Sequence, residues 1–301
     1  MRANNRSPRR MKEAVIRYIC LGCALISVAT TFGIIWTLLS EGLHFFKKVP
    51  FFDFLTGTNW SPQIEPLAYG VLPLVSGTAM IAIGSGVIAI PLGLMAAIFL
   101  SEYANHRVRS ILKPLLEILA GIPTVVYGYF ALTVVTPWLR SLLGQERVEV
   151  FNGASGCIVV GIMVLPLVCS LCEDALSAVP STLREGAYGL GSTKVEVIRK
   201  IVVPSALSGI MAAFILAISR AVGETMAVTL ASGNKPSMSM NPLEGIQTMT
   251  AYIVQITRGD TPSGTTAYYT LYAVGLTLFA FTFGMNMVAR KLVKKFRQVY
   301  Q

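Results

Sequence analysis

The sequence predicts an all-α membrane protein with six transmembrane helices and both termini in the cytoplasm. Three observations carry this. The 301 residues are 53% hydrophobic and only 13% charged, with a mean hydropathy of +0.62, whereas a soluble domain carries about 25% charged residues. Six runs approach the ~20 apolar residues that cross a hydrocarbon core, and each is continuous rather than alternating, which excludes a barrel. The third observation is where the 25 Lys and Arg fall. With the N-terminus inside, residues 1–17, the 101–114 loop, the 172–204 loop and the tail from Arg290 hold six, three, four and five, which is 18. The opposite loops hold six: Lys47, Lys48, Arg140, Arg147, Lys235 and Arg258. That imbalance is the positive-inside rule, and it accounts for the net charge of +10 without nucleic acid.

The first span, Tyr18–Leu39, follows a basic leader from Arg2 to Arg17. It is longer than the ~7–15 residues of a cleavable signal core, so it reads as an uncleaved anchor. The loop Ser40–Val75 holds Phe45, Phe46, Phe51, Phe52, Phe54, Trp60 and Tyr69. Such clustering fits either a segment lying at headgroup level or a packed extracytoplasmic loop. The second span, Ser76–Leu100, contains Gly77, Gly84, Gly86, Gly93 and Pro91. Its small residues point to close helix packing, with a bend or hinge open at Pro91. In the third, Leu115–Leu139, Glu117 is followed by Gly121, Pro123, Tyr127 and Gly128. A helix so interrupted must face protein or a water-filled path, where its freed backbone groups find partners. The fourth span is Gly153–Leu171, the fifth Ala206–Ala231 and the sixth Ala267–Ala289.

Motifs for catalysis and metal binding are missing. Cys20/Cys23 and Cys169/Cys172 have C-x-x-C spacing, and Cys157 stands alone, but all lie in or beside apolar spans without a third ligand type. His44 and His106 are isolated. The run from Gly189 to Lys194 falls short of a P-loop, because Thr193 rather than Gly precedes Lys194 and no strand leads into it. No HExxH or G-x-S-x-G is present. If ATP is used, another chain binds it.

The fifth span carries the sharpest local signal, Arg220 and Glu224. A charge at the bilayer centre costs ~2.5–3.5 kcal/mol on insertion scales. Counting back from Ala231 puts Arg220 ~16 Å deep. Counting forward from Pro204 gives ~24 Å, so the helix must tilt or begin below the membrane. Spacing of four places both groups on one helix face, but Arg ahead of Glu is the weaker order. Two readings stay open: a buried ion pair that pins packing, or residues lining a path for a polar solute. A guanidinium there suits an oxyanion.

The longest polar interval between spans is Cys172–Pro204. Within it Glu185-Gly186-Ala187, Gly191, Ile201 and Pro204 resemble the EAA loop (E-A-A-x3-G-x9-I-x-L-P) of ABC importer permeases, with Gly186 for an Ala and Val203 for the Leu. Tyr69–Thr78, Gly121–Gly128 and Ala221–Val228 are similar to the phosphate-specific permeases of PstC type. The resemblance implies a type I ABC importer permease fold, with the permease module at about 71–290. Residues 1–70 then hold the leader, first helix and periplasmic loop, and 291–301 a basic tail. It implies that Glu185, Gly186, Ala187 and Gly191 belong to a coupling helix and turn on an ATPase, and that Arg220 and Glu224 matter for phosphate passage. It further implies a heterodimer with a PstA-type permease, two ATPase subunits carrying ATP and Mg, and a periplasmic phosphate-binding protein. This chain itself would be non-catalytic, bind no cofactor or metal, and lie in a bacterial inner membrane among lipid. A permease for molybdate or sulfate is the nearest alternative, and a secondary transporter a more distant one.

Overall fold

The computed structural model describes residues 7–259 and 261–296. Arg2 and Arg6 of the basic leader and Arg297 of the tail therefore lie outside the described residues. Helix α1 (Ser7–Phe46) has 40 residues, or ~60 Å, about twice a hydrocarbon core. None of its apolar window is buried by the rest of the chain, a surface that suits lipid or the helices of another subunit.

Between α1 and the next span, α2 (Phe51–Thr56) leads into a hairpin of β1 (Trp60–Ser61) and β2 (Ala68–Tyr69). The aromatics divide. Phe45, Phe54 and Trp60 are buried, while Phe51 and Phe52 are exposed. Phe45 meets Phe54 edge-on with centroids 5.4 Å apart, and Trp60 meets Tyr252 at 4.8 Å. The segment is thus a packed loop that leaves two phenylalanines uncovered.

The centre of the bundle is the pair α3 (Leu72–Ile98) and α7 (Gly153–Ser177). Glycines let the two backbones approach. A Cβ on Gly93 would sit 2.7 Å from Val168 Cβ, one on Gly161 3.1 Å from Ile88 Cβ, and one on Gly84 would collide with Cys157 Sγ. Pro91 stands inside α3, which continues as a wider π turn over Phe99–Tyr103. Helix α7 runs past Leu171, so Cys172, Glu173 and Asp174 form its last turns rather than the start of a polar loop.

Two predicted spans are broken. α4 (His106–Ala120) meets α5 (Thr124–Phe130) at 88°, and α5 continues through a π turn (Ala131–Val135) into α6 (Thr136–Leu143). The third span accordingly starts at Thr124, not Leu115. Pro123 offers no N–H and pushes Ile122 out of helical geometry. Tyr127 Oη donates to the Leu119 carbonyl across the break at 2.8 Å.

The polar interval forms α8 (Ser181–Gly189), α9 (Lys194–Val197), a π turn (Ile198–Val202) and α10 (Val203–Ser205), after which α11 (Leu207–Val222) turns by 70°. Helix α11 ends at Val222. Gly223–Thr225 interrupts the fifth span before α12 (Met226–Ser232), and α13 (Met249–Arg258) and α14 (Thr266–Phe296) follow. Among the described residues, four helices are long and apolar enough to cross a membrane alone, and up to six spans result if each bent pair counts as one. The all-α membrane architecture holds.

Candidate functional site

The resemblance motif divides between three settings. Pro180 precedes α8 with φ −58°, ready for helix entry. On α8, Glu185 and Gly186 are exposed and Ala187 is buried. A Cβ on Gly186 would meet nothing within 4 Å, so no steric reason requires glycine there. Gly191 has φ +80°, the left-handed region that favours glycine, and the turn closes with Ser192 N–H donating to the Ala187 carbonyl at 3.2 Å. Thr193 then caps α9 in a reciprocal box with Glu196. Ile201 packs against the main core, and Pro204 sits at the 70° bend. Tyr188, Leu190 (89% exposed) and Val195 project from the tip uncovered.

What ties α8 to the bundle was not visible as a motif. Arg184 donates to Glu102 Oε1 at 2.9 Å and to the Val179 and Leu176 carbonyls at 2.6 and 2.9 Å. Glu102 is 6% exposed. One guanidinium thus joins α8 to the ends of α3 and α7, by charge-assisted bonds that are stronger than neutral ones. Nearby, Glu173 on α7 is 1% exposed and accepts from Arg109 and, at 3.0 Å, from Lys113, both on α4. In the sequence, Arg109, Lys113 and Arg184 register only as inside charges. Their partners Glu102 and Glu173 are far away along the chain, and only folding brings them together.

Arg220 and Glu224 do not share a helix face. Arg220 is in the last turn of α11, exposed, where a cation complements the helix C-terminus. Glu224 lies in the break, 8% exposed. Its carboxylate accepts from the Ala227 N–H at 3.3 Å, and its carbonyl accepts from Thr250 Oγ1 at 2.7 Å. The two form no ion pair among the described residues. The ion-pair reading fails because Gly223 ends the helix. Arg220 instead lines a cavity of about 280 Å³ with Lys113, Glu117, Ser170 and Glu173. Two cations and two carboxylates from α4, α7 and α11 face one small volume.

Cys157, Cys169 and Cys172 are buried and Cys20 and Cys23 exposed, all five as free thiols. His44 holds the Ser40 carbonyl at 2.8 Å and stacks on Tyr269. Among the described residues no cluster of His, Cys, Asp or Glu could hold a metal ion.

Known proteins share this architecture and sequence. The family described as "Binding-protein-dependent transport system inner membrane component" matches residues 89–298. The chain belongs to that family. As an inner membrane component it is a multi-pass transporter permease subunit. It is similar to the probable ABC transporter permease protein YqgH of Bacillus subtilis, with 36% identity covering 96% of this chain and 93% of the relative. It is also similar to the phosphate transport system permease protein PstC of Mesorhizobium japonicum, 34% identical over 81% of this chain and 79% of the relative. The fold matches a bacterial alginate ABC transporter in complex with its substrate-bound periplasmic protein: TM-score 0.63, 16% identity, 95% and 98% of the two chains covered. An inward-facing methionine ABC transporter matches at TM-score 0.56 and 17% identity, over 76% of this chain and 95% of that one. Both structures, at such identity, speak to fold alone.

Proposed function

We infer that this permease subunit carries phosphate, as one half of the translocation path of an ATP-driven importer. The observation that carries the inference is the identity, over about four-fifths of both chains, to a PstC phosphate permease. The reading adds a second permease of PstA type, two ATPase subunits that hold ATP and Mg, and a periplasmic phosphate-binding protein. The chain itself then performs no catalysis and binds no cofactor. The module at about 71–290 forms the gate, residues 1–70 anchor it and dress its periplasmic side, and both termini lie in the cytoplasm.

In this scheme α8 seats on the ATPase through Tyr188, Leu190 and the exposed face around Glu185 and Gly186, with Gly191 turning the chain back. Because Arg184 bonds to the ends of both α3 and α7, movement of α8 is delivered to the two central helices rather than absorbed in a loop. Arg220 meets the anion where α11 ends, and Glu224 holds the break open by capping α12. The two-state gate is biased by nucleotide on the partner.

ATP-dependent uptake of labelled phosphate into vesicles carrying the assembled transporter is the test, with unlabelled sulfate and molybdate as competitors. Uptake that needs ATP and resists both competitors supports the reading. Competition by molybdate or sulfate would change the cargo, and uptake driven by an ion gradient without ATP would refute the machine. Arg220→Gln should abolish uptake while the complex still assembles. An insertion beside Gly191 should leave ATP hydrolysis running without uptake; normal coupling in that variant would overturn the docking assignment.

A further inference from the structure

We propose that the groove between α11 and α14, at the end of the bundle that carries α8, binds an anionic phospholipid. The groove encloses about 670 Å³ and is lined by Ile215 and Leu216 of α11 and by Asn286, Arg290, Val293 and Lys294 of α14, with Ala212 and Ala289 completing the lining. On α14 these positions follow the i, i+3, i+4, i+7, i+8 pattern of a single face, so Arg290 and Lys294 stand one turn apart over the same slot. From Asn286 to Lys294 the helix rises ~12 Å, which suits a phosphate at the cationic end and the start of an acyl chain along the apolar wall.

Three features favour a lipid over other occupants. No acidic side chain lines the groove, and among the described residues neither Arg290 nor Lys294 is paired with a carboxylate. The wall is apolar and open, since Leu216 is 51% exposed on an apolar helix. And among the described residues only α11 and α14 line the slot. α1 packs on α14 around Leu38 and Gly42, where a Cβ on Gly275 would lie 3.0 Å from Leu38 and one on Gly42 3.9 Å from Leu276, but its residues from Cys23 to Ile34 are all exposed. Basic pockets between transmembrane helices recognise anionic headgroups through the phosphate, which a guanidinium grips bidentately. Free phosphate lacks the chain that would use the apolar wall.

The test uses the whole transporter, purified with its partner subunits in detergent. Phosphatidylglycerol is titrated, with phosphatidylcholine of the same acyl length and inorganic phosphate as separate arms, and retention is read by native mass spectrometry alongside the shift in Tm. Phosphatidylglycerol should be retained and raise Tm, and neither comparator should. The R290Q/K294Q double variant should lower its apparent affinity about 25-fold, at roughly fivefold per cation near an anionic headgroup. Leu216→Trp keeps both charges but fills the wall, and should weaken retention several-fold. Wild-type Tm without added lipid shows that a variant is folded; if the double variant is not, the wild-type lipid comparison and Leu216→Trp still decide. Unchanged retention in both variants, equal retention of phosphatidylcholine, or a Tm shift reproduced by inorganic phosphate would overturn the proposal. So would a photo-crosslink from a benzophenone amino acid placed at Leu216 to a neighbouring subunit, which would show that protein covers the groove.

Discussion

The two ends of the helix bundle are held together by different chemistry. At the end bearing α8 the ties are ionic: Arg184 to Glu102, and Arg109 and Lys113 to Glu173. At the other end the buried ties are aromatic and neutral. Phe45, Phe54, Trp60 and Tyr252 pack edge-on, and Thr136, Asn152 and Ser155 form a buried hydroxyl–amide set, with Thr136 and Ser155 at 2.7 Å. Ion pairs between long side chains tolerate changes of angle between the helices they join, whereas interdigitated rings do not without loss of contact. Under the proposed function, the difference assigns the ionic end as the one pushed through α8 and the aromatic end as the pivot.

Between the two ends lies the α3–α7 contact, and breaking it should cost most. Gly93→Leu drives a side chain into Val168, whose Cβ would lie 2.7 Å from the new Cβ. Overpacking of this kind costs about 1–3 kcal/mol and more where backbone must shift; the prediction is loss of folded protein in detergent, read as a lower Tm and yield. Next, Trp60→Ala removes a buried ring from the aromatic end at about 3 kcal/mol, and it should lower Tm while leaving the coupling of hydrolysis to uptake unchanged in whatever folds. The mirror experiment is Arg184→Ala. It should lower Tm less and yet uncouple hydrolysis from uptake; a variant that keeps full coupling would remove the distinction between the ends. Gly191→Ala comes below these, at about 1–2 kcal/mol for a left-handed alanine, and it should impair coupling more than Tm.

The smallest effect belongs to an exposed pair on the aromatic side. Lys235 beside Glu149, followed by the Gly245 N–H, holds that carboxyl below the usual glutamate range. A carboxylate with a lowered folded pKa stabilises the fold above its unfolded pKa and loses that contribution as pH falls through the folded value. Acidification should therefore lower Tm slightly more in the wild type than in Glu149→Gln, and an equal slope would show that the pair contributes nothing. Both partners are about half exposed, so salt should erase the difference.

The fold class was legible because lipid imposes a length and a polarity on every span, and those are one-dimensional properties. The turn at Gly191 was placed by the resemblance of Glu185–Gly191 to the EAA loop, and its left-handed backbone was seen only in the structure. Span boundaries at Leu115 and Leu171 were misjudged. In the first case Pro123 cut a helix that hydropathy could not tell from a span; in the second, α7 carried Glu173 and Asp174 in its own final turns. The shared face of Arg220 and Glu224 was misjudged for a similar reason, because α-helical periodicity was extended through Gly223.

Composition and the run of apolar residues thus determined by themselves that the chain is helical and lives in lipid, and the spacing of Glu185, Gly191, Ile201 and Pro204 raised, through its resemblance to the EAA loop, the expectation that a partner docks there. Only the tertiary structure decided which charges meet. Glu102 finds Arg184 from 82 positions away, and Glu173 finds Arg109 from 64. Neither pairing leaves a periodic trace, because a buried carboxylate answers to the cation that packing places beside it, and packing depends on contacts between helices that the chain order does not encode locally.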